Sequence, residues 1–378
     1  MNNKLLPVLF GFFVMGFVDM VGVSVSYVKQ DIGLSDTLAN LIPLMVFVWF
    51  AVFSLPTGVF MGKYGRRYTV LVSAVITVAA MLIPLTGSTF AIFLLAFALM
   101  GIGNTVLQVS LNPLVSDVVE ERKLTGMLTL GQFIKAISSF LGPVLIGLAA
   151  SKLGNWTYIF PTYAALTAIS FVWLYFTHIE EGKTASKQTG FNVILGLLKN
   201  RRMLAWLSII LLIVGFEVGL MTAVPKFLQE RCSLSLEEGA LYCSLYFAAR
   251  TLGTFIGSFL LVRVSPRKFL LLTLLVAIIC LTFFAFSSNI WVLRICLFVV
   301  GLTCANVFAI VFATAIQSDA PKADAISALM IMGVAGGALI PPVMGVIADA
   351  GTQFATLFVP IAALVYIFTV SIFFIKSK

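Results

Sequence analysis

Four ionisable side chains stand inside long apolar stretches of the chain: Asp19, Lys135, Glu217 and Arg250. A charge at the depth of a bilayer costs about 2.5–3.5 kcal/mol on insertion scales, so each must meet a partner or water. Two acids and two bases allow complete neutralisation, with Asp19 expected beside Lys135 and Glu217 beside Arg250. A carboxylate held next to an amine can bind and release a proton, and either base can receive an anionic group. The plainer alternative is a pair of structural ion pairs, which apolar packing would match in stability. Asn104, Gln108 and Asn112 recur every four residues and so line one helix face. Their amides can serve hydroxyl groups or neighbouring helices. Gln132 and Ser139 lie on roughly the face of Lys135. Asn306 occupies the corresponding depth of a later stretch, and Tyr246 offers a ring face to a ligand.

The elements that carry these groups follow from composition. The chain has 378 residues, of which 61% are hydrophobic and only 10% charged, against about 25% charged in ordinary globular proteins. A polytopic membrane protein is expected. Twelve apolar spans of membrane-crossing length can be drawn near 7–27, 37–61, 68–86, 89–115, 124–150, 156–178, 203–228, 236–262, 267–287, 289–316, 323–350 and 353–376. The net charge of +9 invites a nucleic-acid reading, which the placement of the charges excludes. With both termini cytoplasmic, only Lys29, Lys152, Lys226 and Arg231 fall outside, and Lys135, Arg250 and Arg294 fall within spans. The remaining lysines and arginines face the cytoplasm, as the positive-inside rule requires. No cleavable signal peptide is expected, because the first apolar run is long and carries Asp19 in its middle. The five cysteines show no metal-ligand spacing, and the sole histidine, His178, closes the sixth span as a structural residue.

Span one carries Gly11, Gly16 and Gly22, which thin the helix for close packing. Span two contains Pro43 and Pro56, expected to kink it, and runs into Gly58, Gly62, Lys63, Gly65, Arg66 and Arg67. The charged stretch 179–202 breaks the hydropathy into an N-terminal half, 1–178, and a C-terminal half, 203–378. Phe191–Leu198 within it is expected to form a short amphipathic helix. The halves repeat. Gly16-Phe17-Val18-Asp19 is echoed by Gly215-Phe216-Glu217, and Ser116-Asp117 with Pro143, Val144 and Gly147 by Ser318-Asp319 with Pro342, Val343 and Gly345. Two six-helix bundles related by a pseudo-twofold axis along the membrane normal would place a site at the midplane.

The glycine-spaced basic turn from Gly58 to Arg67 resembles the inter-helix signature of the major facilitator superfamily, with Gly62 where the signature usually has an acid. Together with the twelve spans and the halved repeat, the resemblance covers the whole chain and implies the all-α major facilitator fold. In detail the chain resembles the fucose–galactose–glucose:proton symporter family. The residues that carry this likeness are Asp19, Asn112-Pro113, and the run from Gly333 through Gly336, Gly337, Pro341 and Pro342 to Asp349. The resemblance implies import of a monosaccharide or sugar derivative with a proton carried by Asp19. Glu217 is a second candidate for proton coupling. Gln108 stands where that family has its second essential acid, and Lys135 where it has a polar amide.

Gln108, Asn112, Lys135, Arg250, Asn306 and Tyr246 are therefore the candidate substrate contacts. The glycines and basic residues of the Gly58–Arg67 turn are candidate gating positions, with Gly336, Gly337, Pro341 and Pro342 as hinges or close-packing points. Other readings are a carrier of a sugar acid or other carboxylate using Lys135 and Arg250, an exporter of amphipathic compounds, and a non-transporting sensor. The 179–202 stretch is too short for a sensor's output domain. No phosphate-cradling loop or nucleophile–base pair points to an enzyme or to ATP, and no cofactor is expected. The expected partners are a small-molecule substrate, a proton and the lipid bilayer, with the chain a monomer in a bacterial cytoplasmic membrane.

Overall fold

The computed structural model describes residues 4–34, 38, 41–180, 190–234, 236–350 and 352–375. Every regular element among them is helical. Backbone that crosses a bilayer has no water to satisfy it, and a helix pairs its own groups. Among the described residues, ten helices are long and apolar enough to cross a membrane. The broken first span and the helix Leu236–Leu260 complete the twelve. The chain is an all-α, multi-pass membrane protein.

Local chemistry sets the boundaries. Thr89, Asn200 and Asn289 cap helix starts with side-chain oxygens that accept from Ile92, Arg202 and Trp291 backbone N–H groups. Gly65 joins spans two and three at a φ of 94°, a left-handed conformation that a side chain at this position would strain. Span one is discontinuous: Leu5–Met15 is α-helical, Gly16–Met20 a 3-10 turn, and Val21–Ile32 α-helical again. Span two continues as one helix, Leu41–Tyr64, through Pro56. Phe191–Leu197 is helical and buries Ile194 and Leu197. Residues 181–189 of the expected linker, with Lys376 and Lys378, lie outside the described residues.

The chain forms two compact units. The first comprises Met1–Leu124, Ile134–Leu197 and Ile316–Met332; the second comprises Thr125–Phe133, Leu198–Ala315 and Gly333–Lys378. In the first unit, spans two and four, three and four, three and six, and one and six pack together. In the second, spans eight and ten, nine and ten, nine and twelve, and seven and twelve do so. The pairings are the same, six spans on. A close crossing repeats as well. A Cβ at Gly101 would stand 2.6 Å from the Val46 carbonyl oxygen, and one at Gly301 would stand 2.5 Å from that of Tyr246. Both partners of the second contact lie 200 residues beyond those of the first.

Within the second unit, span seven meets the second helix of span eleven, Gly336–Ala350, through glycine on both sides. A Cβ at Gly336 would overlap the Leu211 carbonyl, and one at Gly215 would overlap Ile340. Gly336→Ala should therefore destabilise the protein by about 1–3 kcal/mol, because the obstruction is backbone and cannot rotate away. Thermal melting in detergent measures it, and an unchanged midpoint would mean that the two helices do not approach at Gly336.

Candidate functional site

The 3-10 turn of span one is where most of the singled-out polar residues of the first unit meet. Asp19 sits inside it and keeps its carboxylate 38% exposed. Ser139 Oγ donates to Asp19 Oδ2, and Lys135 Nζ lies 3.9 Å from the same oxygen. Lys135 and Ser139 are one helical turn apart on span five, so both reach the carboxylate from one face. Close approach makes this possible. A Cβ at Gly16 would stand 2.6 Å from the Lys135 carbonyl oxygen and 2.7 Å from Ser138 Cβ. On the other side of the turn, the Phe17 ring stacks on Tyr163 of span six, 3.9 Å between centroids and 5° from parallel.

The amides of span four do not stand free. Asn104 Nδ2 donates to the Met15 carbonyl at 2.8 Å, and Gln108 Nε2 donates to Asn104 Oδ1 at 2.7 Å. Asn112 Nδ2 donates to the Gln108 carbonyl at 2.7 Å. All three residues are buried; Asn104 ties span four to span one, while Gln108 and Asn112 bond within span four.

In the second unit, Arg250 Nε lies 2.7 Å from Glu217 Oε1, with both side chains about one-quarter to one-fifth exposed. Tyr246, one turn before Arg250, is buried. Asn306 interrupts span ten between Ile290–Cys304 and Val307–Ser318 and donates to the Gly253 carbonyl at 2.9 Å. The absence of a side chain at Gly257 makes room for the Asn306 amide. Arg294 stacks over the rings of Tyr242 and Trp291.

The basic turn after span two forms a second constellation of the first unit. Arg66 is buried and reaches two carboxylates, Asp117 Oδ1 through Nη1 and Asp324 Oδ1 through Nε, each at 2.7 Å. Arg67 instead donates to the Leu174 and Tyr175 carbonyls at the end of span six, and Lys63 lies over the Tyr64 ring at 5.1 Å. Asp324 belongs to Ala323–Met332, the first helix of span eleven, which packs on spans two and four. A Cβ at Gly58 would overlap Ala328 of that helix. Pro113 has no N–H, so an α-helix would leave the Val109 carbonyl four residues earlier without its partner. Ser327 Oγ donates to that carbonyl at 2.6 Å. The same happens at Pro225 of span seven, where Cys243 Sγ donates to the Met221 carbonyl at 3.5 Å.

Tyr163, Ser138 and Asp324 are members of these constellations that the sequence did not single out. Tyr163 and Ser138 carry no signal beyond their residue type. Asp324 carried one: an acid in the first turn of an apolar span, in a chain with only 15 acids. Of the hinge candidates, Pro341 and Pro342 lie inside the helix Gly336–Ala350, which follows a 3-10 turn at Gly333–Ala335. Among the described residues no cluster of metal-ligating side chains occurs.

Comparison with known proteins places this geometry in a wider setting. A family model described as Major Facilitator Superfamily matches residues 8–325 and 220–378. The glucose/galactose transporter of Brucella abortus is 24% identical over 377 residues, covering 94% of this chain and 90% of that protein. A putative glucose/galactose transporter of Helicobacter pylori is 25% identical over 367 residues, covering 89% and 87%. The crystal structure of the E. coli fucose:proton symporter FucP superposes with a TM-score of 0.86 at 17% identity, covering 100% of each chain.

Proposed function

Because the chain belongs to the Major Facilitator Superfamily, we propose that it imports a monosaccharide or sugar derivative by proton symport through alternating access. The observation that carries the proposal is Asp19: a carboxylate on a broken mid-span turn, half open to its surroundings, beside Ser139 and Lys135. Protonation of Asp19 removes the charge that attracts Lys135 and frees that amine. Binding and release of the proton are thereby tied to a rearrangement of spans one and five. Glu217 and Arg250 form the second unit's coupled pair. The names of the relatives, glucose/galactose transporter and fucose:proton symporter, support a hexose as the substrate.

In this reading, residues 1–178 and 203–378 are the two bundles of the transport cycle and 179–202 joins them. Gln108, Asn112, Asn306 and Tyr246 shape the substrate site, and Lys135 and Arg250 contact the substrate directly. The turn from Gly58 to Arg67 and the Gly336–Pro342 segment govern opening. The protein works as a monomer in a bacterial cytoplasmic membrane, with both termini inside, and catalyses no chemical conversion. A second reading is favoured by the partial exposure of both mid-span cations: the substrate is a sugar acid whose carboxylate displaces Asp19 or Glu217.

Uptake into proteoliposomes under an inward proton gradient decides between them, with glucose, galactose and fucose beside glucuronate and galacturonate. Accumulation of a neutral hexose that collapses with a protonophore is the expected result. Accumulation of the acids alone would move the assignment to the second reading, and accumulation of none would overturn both.

A further inference from the structure

We infer that Asn104 is the positioning residue of the Asp19 carboxyl, acting through the backbone of the broken span. The inference rests on the reading of Asp19 as the proton-carrying group. In an unbroken α-helix the Met15 carbonyl would accept from the N–H four residues on, which is that of Asp19 itself. Here the segment Gly16–Met20 winds as a 3-10 helix, and the Met15 carbonyl accepts from Asn104 Nδ2 at 2.8 Å. The amide has one workable orientation, because its oxygen accepts from Gln108 Nε2 at 2.7 Å. Asn104 is buried, so no water replaces it.

The winding decides where the carboxyl points. A 3-10 helix turns about 120° per residue and an α-helix about 100°. Over the three steps from Gly16 to Asp19 the difference is about 60°, enough to swing the carboxyl off Ser139 and Lys135. Without Asn104 the Met15 carbonyl keeps only the bond from the N–H three residues on that 3-10 winding gives it, and loses the donor on its second lone pair. With that place vacant the carbonyl can exchange its partner for the Asp19 N–H four residues on, and that exchange rewinds the turn as α-helix. Phe17 stacked on Tyr163 and Gly16 seated against Ser138 hold the turn at its two flanks, and Asn104 holds the Met15 carbonyl at its start. The amide stripe of span four is thus a strap on the proton site, with Gln108 as its second link.

The test is a pH titration of the purified full-length protein by infrared difference spectroscopy, without sugar. The carboxyl band of Asp19 is assigned by its loss in Asp19→Asn. Asn104→Ala should displace the titration midpoint of that band by about half a pH unit or more, since the carboxyl changes its charged and hydrogen-bonding neighbours. Asn104→Ser, which restores a donor on a shorter arm, should return part of the displacement. A midpoint in Asn104→Ala equal to the native one overturns the inference, whatever happens to transport. Should Asn104→Ala fail to assemble, a native midpoint in Asn104→Ser overturns it equally. The reading of Asp19 fails separately, if Asp19→Asn still accumulates sugar while its carboxyl band is lost. A displaced band in Asn104→Ala would then still establish Asn104 as the residue that orients the carboxyl.

Discussion

Asp19→Asn should abolish concentrative uptake and leave sugar exchange across the membrane intact. A gradient of about one pH unit coupled to one proton supports roughly tenfold accumulation, since 1.4 kcal/mol corresponds to a factor of ten. The amide keeps the shape of the carboxyl and can still accept from Ser139, so the turn and the packing around it are undisturbed. What it cannot do is change charge beside Lys135. Accumulation in proteoliposomes should therefore fall to the level of simple equilibration, while counterflow, in which labelled sugar exchanges for unlabelled, continues. Accumulation at the native level would remove Asp19 from the coupling. Loss of both accumulation and counterflow would show that the residue binds sugar or builds the site instead.

Arg66→Ala should be the most destabilising single change in the first unit. Arg66 is held between Asp117 and Asp324, and removing it leaves two carboxylates facing each other with little water. Breaking a buried ion pair by deleting one member costs about 3–5 kcal/mol, far more than the pair adds over apolar packing. The melting midpoint in detergent should drop by many degrees, and Asp324→Asn in the Arg66→Ala background should recover part of it by removing one unpaired charge. A melting curve unchanged by Arg66→Ala would mean that the three groups do not form a buried cluster. Gly62, in the usual place of the signature's acid, gives this cluster its interest. The acids that Arg66 meets come from span four and from span eleven instead, the latter in a helix that also donates Ser327 to span four.

The fold was largely legible because its signals are long-range averages. Twelve apolar runs, a charge bias between their ends, and a repeat of about two hundred residues survive small errors at every boundary. The break in span one was not legible, since Gly16-Phe17-Val18-Asp19-Met20 has the composition of any transmembrane helix. It depends on a carbonyl acceptor finding Asn104 from a different span. The stripe Asn104, Gln108 and Asn112 was recognisable as polar, but periodicity states only that three amides share a face. Whether that face looks at a cavity or at another helix is decided by the neighbour, and for Asn104 the neighbour is the Met15 carbonyl at the break of span one. Asp324 escaped notice for a similar reason. Its meaning lies in Arg66, which is 258 positions away in sequence.

The two mid-span ion pairs have an electrical consequence. Asp19 with Lys135, and Glu217 with Arg250, each sum to zero charge, so the empty carrier presents a neutral pair in each unit to the field across the membrane. In the proposed symport, one proton added to Asp19 leaves a whole positive charge that must traverse that field with a neutral hexose, gaining about 2.3 kcal/mol for each 100 mV of inside-negative potential. The same cycle with a sugar acid moves no net charge and draws nothing from the voltage. A current, or its absence, on addition of sugar therefore reports the charge of the cargo.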